Sequence, residues 1–189
     1  MRRPRSLVVP LLASAVMPLV GCAVDPLGAE LEEGPSELVL PDAWARGLLD
    51  DDPLLHHQPA GLVDEDCPPS TWGYEDGRLE VQTGACAYAW LVQPALTELS
   101  PGDTLAITSW HQGLDAPLPS EGHLALVVDG EVLWEATAPI PSSPEVFDAE
   151  VVIHRHVPEG SEVGVHLHNH GYNSWSVGAV TRWPGALTW

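Results

Sequence analysis

The chain has 189 residues, and its 27 acidic side chains outnumber seven basic ones, all arginine, for a formal charge of −20 at pH 7. This charge argues against a nucleic-acid-binding protein, because phosphate binding needs clustered basic side chains. For the same reason we do not expect the chain to dock on anionic lipid by charge alone.

The N-terminal segment reads MRRPRSLVVPLLASAVMPLVGC, with three arginines before an apolar run from Leu7 to Val20. A basic start, a short apolar middle and a small residue at the end are typical of a secretory signal peptide. The run is too short for a membrane span, which takes about 20 apolar residues. We therefore predict a signal peptide at residues 1–21, whose removal leaves 27 acidic residues against four arginines.

The end of this segment, Leu19-Val20-Gly21-Cys22, resembles the lipobox of bacterial lipoproteins at all four positions. The resemblance implies cleavage before Cys22, a lipid on its sulfur and an acylated amine. Ala23 in the next position implies sorting to the outer membrane and leaves open which side the protein faces. The alternative is an ordinary cleaved signal with a chance cysteine. The expected location is the bacterial cell envelope, with the membrane as a partner through this lipid.

Residues 22–64 have the composition of an acidic linker, with AELEEGPSE and LLDDDP among scattered prolines and glycines. Such a composition favours a solvated tether over a packed core. Within it, PDAWARGLLDD at 41–51 predicts one short helix that docks on the domain, because proline and aspartate suit a first turn. We expect His56 and His57 to lie in a solvent-facing loop.

Two cysteines remain once Cys22 is lipidated, and they form an even pair in an oxidising compartment. A bridge between Cys67 and Cys86 would close a loop of about 20 residues and stabilise the fold by about 3 kcal/mol. A reactive or metal-binding thiol is the alternative, but the chain has no CxxC and neither cysteine has a histidine close in sequence. We therefore predict a disulfide.

Residues 65–189 contain short apolar runs separated by turn residues, which predicts an all-β domain. The number and spacing of the runs favour an antiparallel β-sandwich of jelly-roll type. Asp129-Gly130 is the strongest hairpin signal. The candidate strands are RLEVQT, CAYAWLVQ, DTLAITSW, HLALVVD, EVLWEAT, EVVIHRHV, EVGVHLHN and SWSVGAVTRW.

Histidines alternate with valine and leucine in EVGVHLHNH, so the apolar set faces the core and His166 and His168 face the other side. EVVIHRHV alternates in the same way, and a three-residue loop between the two runs sets His154 opposite His166, with His156 diagonal. We predict that these four histidines form a solvent-facing patch that binds Zn²⁺, Cu²⁺ or Ni²⁺. The alternative is a polar outer face without a ligand. Further candidate ligands in other runs are His111 and His123.

The stretch PEGSEVGVHLHNHGYN resembles the first cupin motif, since Pro158, Gly160, His166 and His168 match its proline-x-glycine step and its pair of metal-binding histidines. The resemblance implies a metal-binding protein of the kind that includes oxygenases and isomerases. The glutamate of that motif is missing, and its second motif has no match in the residues that follow. A cupredoxin is excluded, because both methionines lie in the leader.

Eight tryptophans are many for this length. We expect those inside apolar runs to be in the core, and Trp175, Trp183 and Trp189 to be partly exposed. Flat aromatic faces beside Asn, Asp and His side chains suit sugar rings, and in this the chain is similar to β-sandwich carbohydrate-binding modules. His170, Asn173 and Trp175 are therefore candidate ligand-binding residues. The alternative is that these tryptophans close the end of the sandwich.

Catalytic motifs are not found: the chain has no G-x-S-x-G elbow, no phosphate loop and no locally placed acid pair. Catalysis is left open, but we predict a non-enzymatic module. The predicted function is a lipid-anchored, extracytoplasmic β-sandwich that binds a glycan or an envelope protein. The alternative is a divalent-metal-binding, cupin-like protein that uses the histidine patch.

Overall fold

The computed structural model describes residues 34–57 and 67–185. Within them the chain forms strands and three short 3-10 turns, at Leu49–Asp51, Leu55–His57 and Pro69–Thr71. The strands are β1 (Ser36–Glu37), β2 (Ala45–Arg46), β3 (Trp72–Glu75), β4 (Arg78–Gln82), β5 (Tyr88–Pro94), β6 (Thr104–His111), β7 (Ser120–Val128), β8 (Glu131–Ile140), β9 (Glu145–Val152), β10 (Glu162–Asn169) and β11 (Ser174–Trp183).

The strands form two antiparallel sheets. Sheet A has the order β3-β4-β11-β6-β9, with β1 also paired to β11, and sheet B has the order β2-β5-β10-β7-β8. The predicted all-β, antiparallel sandwich of jelly-roll type is confirmed. Each predicted run contributes to a strand, and β10 and β11 have the predicted bounds. The prediction missed β1, β2 and β3, which are short and carry no long apolar alternation.

The core lies between the sheets and is filled by alternate residues of the long strands. Val163, Val165 and Leu167 of β10 are buried in it, as their alternation predicts, together with Leu105 and Ile107 of β6. Alternation puts one side of each strand into this shared layer, since successive side chains point to opposite faces of a sheet.

The predicted β9–β10 hairpin is wrong. β9 pairs with β6 in sheet A, whereas β10 pairs with β5 and β7 in sheet B. The chain between them therefore passes from one sheet to the other. Phe147 and Val151 of β9 still pack against the core that β10 faces, because the two sheets share that core. The alternation thus fixes which side of each strand faces inward, without fixing which strand lies beside it.

The part of the predicted linker at residues 34–57 packs on the sandwich. β1 pairs with β11 and β2 pairs with β5, and Leu38, Val39 and Trp44 are buried. The predicted helix at 41–51 does not form, since this stretch holds β2 and a 3-10 turn. A helix of that length is marginal by itself, whereas the edge of sheet B offers unpaired backbone groups to a strand.

Two local predictions are confirmed. Cys67 and Cys86 form a disulfide, which joins the approach to β3 in sheet A to the approach to β5 in sheet B. Asp129 and Gly130 form the tight turn between β7 and β8, with φ angles of 50° and 77°. Positive φ at both central positions is the geometry that matches the twist of a two-residue hairpin.

The predicted signal peptide at 1–21, the lipidation site Cys22, the linker at 22–33 and 58–64, and Trp189 lie outside the described residues. Within the two described ranges, no helix has the length and hydrophobicity needed to span a membrane.

Candidate functional site

A cluster of histidines lies on the outer face of sheet B. His166 and His168 extend from β10, and His123 of β7 is the register partner of His168. On the other side of β10, Tyr88 of β5 also pairs with His168. Because directly paired residues point to the same face of a sheet, these side chains lie together on the face opposite the core.

The cover segment, residues 47–57, lies over this face. The backbone N–H of Gly47 donates to the Trp90 carbonyl at 3.0 Å, and the His57 ring stacks on the His123 ring with centroids 4.9 Å apart. His166 is therefore fully buried. The predicted exposure of this face to solvent is wrong for His166, because a segment expected to be a free tether covers it.

Glycines allow this close cover. A Cβ on Gly47 would lie 2.4 Å from the Trp90 ring, and a Cβ on Gly164 would lie 1.9 Å from it. The Trp90 ring therefore occupies space that any larger residue at either position would need. Trp90 is buried as expected, but it lies beneath the cover segment and not between the sheets.

Asp52 connects the cover segment to the sheet. Its carboxylate accepts hydrogen bonds from the Tyr88 hydroxyl at 2.6 Å, His166 Nδ1 at 2.7 Å and the Leu54 backbone N–H at 2.8 Å. Burial acts to raise the pKa of Asp52, but these hydrogen bonds and the nearby imidazole lower it overall. Burial and the bond to Asp52 raise the pKa of Tyr88. Asp52 is therefore a buried carboxylate with three donors.

Two buried imidazoles of the cluster, His166 and His123, each have one ring nitrogen without a hydrogen-bond partner among the described residues. His166 donates through Nδ1 to Asp52, and in the described structure its buried Nε2 has no hydrogen-bond partner. His123 Nε2 lies 3.1 Å from a carboxylate oxygen of Glu135, and its buried Nδ1 likewise lacks a partner among the described residues. Polar atoms buried without a partner are rare in native proteins and call for an explanation.

The neighbouring imidazoles are held neutral. Burial, followed by the proximity of other histidines, lowers the pKa of His57 and lowers that of His168 to about 4. Burial also lowers the pKa of His123, against the opposing effect of Glu135. Neutral imidazoles keep a lone pair on one nitrogen, which is the form that binds metals. As they stand, no three His, Cys, Asp or Glu side chains in the described ranges could hold a metal ion.

The four histidines of the predicted patch do not come together. His154 and His156 are exposed in the segment after β9 and are not beside His166 as predicted. His168 does lie near His166, and its Nε2 is 2.9 Å from Nε2 of His170. His111, a further candidate metal ligand, lies on β6 in sheet A, where its ring centroid is 4.7 Å from that of Trp175.

Sequence reasoning missed Asp52 and the role of His57 altogether. Asp52 and His166 lie 114 positions apart, and no local pattern signals their contact. His123 had a signal, because its parity in β7 is opposite to that of Leu124 and Leu126, which face the core. Only the order of strands in sheet B brings it beside β10.

The predicted ligand-binding residues His170, Asn173 and Trp175 do not form an aromatic binding surface. Trp175 is 1% exposed, and its indole N–H donates to Asn169 Oδ1 at 3.0 Å. The prediction that it is partly exposed is wrong, because Trp175 pairs with Val81 on the core side of sheet A. Asn173 has a positive φ of 104° and donates to the Gly113 carbonyl, which gives it a role in the turn.

A second candidate site is a surface hollow of about 160 Å³ at the edge of sheet A. It is formed around β3, the edge strand, where Gly73 has no side chain and a Cβ would meet nothing within 4 Å. Tyr74 is 59% exposed beside it, and the indole N–H of Trp72 has no partner in the described part of the chain. The lining residues are Ser70, Thr71, Trp72, Gly73, Tyr74, Glu75, Glu80 and Gln82.

The hollow lies where the two faces of the sheet edge meet. Gly73 and Glu75 pair with Glu80 and Arg78, so the carboxylates lie with Gln82 on the outer face of sheet A. Trp72 and Tyr74 pair with Val81 and Leu79, so their rings point to the core side of the sheet, where Tyr74 is exposed at the edge. Carboxylate and amide oxygens thus border the hollow, and an exposed aromatic ring lies at the same edge.

No family model and no curated protein matches the chain. Among solved structures, it is similar to CBM27-1 of Caldicellulosiruptor saccharolyticus in complex with mannohexaose, at 9% identity over 79% of this chain and 96% of that one, with a TM-score of 0.46. It is similar to the N-terminal cellulose-binding domain of Cellulomonas fimi β-1,4-glucanase C, at 11% identity over 69% of this chain and 99% of that one, with a TM-score of 0.40. It is also similar to the K3 adhesin domain of Lys-gingipain from Porphyromonas gingivalis, at 15% identity over 79% of this chain and 100% of that one, with a TM-score of 0.42. Likeness at this level does not bear on ligands or on individual residues.

Proposed function

We propose that this protein is a non-enzymatic glycan-binding module of the bacterial cell envelope, anchored by lipid at Cys22. The observation that carries the proposal is the edge of sheet A, where the exposed Tyr74 lies beside a hollow bordered by Glu75 and Gln82. The Tyr74 ring would supply a flat surface for the apolar face of a sugar. Glu75 and Gln82 would supply acceptors for its hydroxyl groups.

The charge around the hollow selects the class of glycan. Glu75 lines it as well as Glu80, which forms an ion pair with Arg78 at 3.0 Å, and the protein as a whole has a formal charge of −20. A sulfated or uronic-acid chain would meet like charges, which lower its local concentration and weaken binding. The ligand is therefore a neutral oligosaccharide whose hydroxyl groups donate to carboxylate and amide oxygens.

The test of the glycan proposal is binding to immobilised neutral oligosaccharides, with Tyr74→Ala as the key variant. Truncation of a central aromatic contact weakens binding by about 10-fold or more, since such contacts contribute more than 1 kcal/mol. Tyr172→Ala is the matched control, because Tyr172 is also exposed, at 56%, and does not line the hollow. It should bind as the unmodified protein does.

Two outcomes would overturn the glycan proposal. One is equal binding by Tyr74→Ala and the unmodified protein. The other is failure to retain any neutral oligosaccharide while an envelope protein is captured, which would favour the protein-binding alternative.

The envelope location rests on the lipobox at Leu19–Cys22 and is tested separately. In a bacterial host that processes lipoproteins, the full chain should fractionate with membranes, in the outer membrane. Cys22→Ser should release the protein into the soluble fraction, because it removes the sulfur that carries the lipid. Continued membrane association of Cys22→Ser would contradict the anchor.

A further inference from the structure

We propose that the outer face of sheet B is a Zn²⁺ site formed by His57, His123 and His166, with Asp52 and Glu135 orienting two of the three rings. This site is independent of the hollow in sheet A, and it uses only one of the four histidines that the sequence pattern selected. Its ligands come from the cover segment, β7 and β10.

The separations between the three ring centres are close to those of imidazoles that share one zinc ion. Their centroids are 4.9 Å apart for His57 and His123, 5.3 Å for His123 and His166, and 6.0 Å for His57 and His166. With Zn–N distances of about 2.0–2.1 Å, each ring centre lies about 3.2 Å from the metal, so tetrahedral ligands have centroids about 5 Å apart. The observed separations match or slightly exceed this value.

The free nitrogens are the ones that a metal would use. His166 Nδ1 is hydrogen-bonded to Asp52, and His123 Nε2 is hydrogen-bonded to Glu135. The other ring nitrogens, His166 Nε2 and His123 Nδ1, have no hydrogen-bond partner among the described residues. A carboxylate on one imidazole nitrogen fixes the tautomer and directs the other nitrogen to the metal, as in many zinc proteins. The His166 side chain is 0% exposed and that of His123 is 5% exposed.

A rotation of His57 completes the arrangement. The three side chains could not hold a metal as they stand within the described ranges, and His57 now stacks on His123 with 23° between ring planes. His57 ends a 3-10 turn at the rim of the cluster, is only partly buried, and is held by ring contacts. In the proposed site this ring turns when the metal binds, so that one His57 nitrogen joins the free nitrogens of His166 and His123. Water or His168 would take the fourth position.

Three imidazoles select the class of ion. Imidazole nitrogen suits zinc and its first-row neighbours, whereas Ca²⁺ and Mg²⁺ take oxygen ligands. Bound zinc would tie the cover segment to sheet B, so metal binding would also raise the stability of the fold.

The experiment uses the mature chain without a histidine tag, freed of metal by chelation and titrated with Zn²⁺ in a calorimeter. We expect one equivalent to bind and to raise the melting temperature. His57→Ala should weaken binding at least 10-fold and abolish most of the melting shift, and it should fold because His57 lies at the surface of the cluster. The paired variant His154→Ala and His156→Ala is the matched control and should bind zinc normally, because both histidines are exposed elsewhere.

A second variant tests the orienting role of Asp52. Asp52→Asn keeps the shape of the side chain and should weaken zinc binding about 10–100-fold, the usual effect of removing a group that orients a metal-binding histidine. The site proposal is overturned if no equivalent of zinc binds, or if the His57→Ala variant binds zinc as tightly as the unmodified protein. Loss of binding only in the His154 and His156 variant would also overturn it, in favour of the exposed histidines. None of these outcomes depends on glycan binding.

Discussion

Replacing Asp52 by alanine should destabilise the fold by about 3–5 kcal/mol, because it removes the shared acceptor of several buried hydrogen bonds. The side chains of Asp52 and His166 are both 0% exposed, and their bond of 2.7 Å is one of three to this carboxylate. Alanine would leave three buried donors without an acceptor, and an unmade bond of this kind costs about 1–3 kcal/mol. Entry of water would offset part of the total.

Urea unfolding of the oxidised, metal-free protein measures this loss. With a slope of about 2 kcal/mol per molar urea, a change of about 4 kcal/mol lowers the midpoint by roughly 2 M. Tyr88→Phe removes only one of the three donors and should cost less, about 1–2 kcal/mol. Asp51→Ala is the control: this neighbouring carboxylate is exposed, so its removal should change stability by no more than about 0.5 kcal/mol.

The reasoning would be refuted if Asp52→Ala were no less stable than Asp51→Ala. That result would mean that the cover segment adds little to the fold, and that water reaches His166 and Tyr88 as easily as it reaches the protein surface. An equal cost for Tyr88→Phe and Asp52→Ala would instead show that the hydroxyl alone carries the interaction.

Three further predictions concern the same domain. In metal-free protein, the free energy of unfolding should fall as the pH drops from 6.5 towards 4. Burial and then neighbouring histidines lower the pKa of His168 from 6.5 to about 4, so the unfolded chain binds the proton first. Urea midpoints across this range should depend less on pH in His168→Gln, and an equal pH dependence in the variant and the unmodified protein would contradict this role of His168. Gly164→Ala should lower the free energy of unfolding by about 1–3 kcal/mol or more, because its Cβ would lie 1.9 Å from the Trp90 ring. Thermal unfolding measures this loss, and a melting temperature equal to that of the unmodified protein would show that the ring moves freely. Replacing Cys67 and Cys86 by serine should remove about 3 kcal/mol, since the bridge closes a loop with a sequence separation of 19; loss of less than 1 kcal/mol would show that the unfolded chain is already compact there.

The local features of this fold can be predicted from the amino-acid sequence alone. Alternation in EVGVHLHN and SWSVGAVTRW predicts β10 and β11 with their observed bounds, because side-chain direction in a strand repeats every two residues whatever lies beside it. Asp129-Gly130 predicts its turn because both positions need a positive φ. The pairing of Cys67 with Cys86 follows from counting cysteines in a chain predicted to be exported. The lipid at Cys22 remains a prediction from the sequence.

Only the tertiary structure decided which strands are neighbours and what covers them. His154 and His166 have the parity predicted for partners, yet their strands lie in different sheets that share one core. His166 has the parity of a surface residue, yet it is buried because Asp52, 114 positions away, folds over it. The physical reason is that alternation records only which side of a strand is apolar. Neighbours and covers are set by the packing of the whole chain, in which a distant acidic segment can bury a polar face by hydrogen bonding to it.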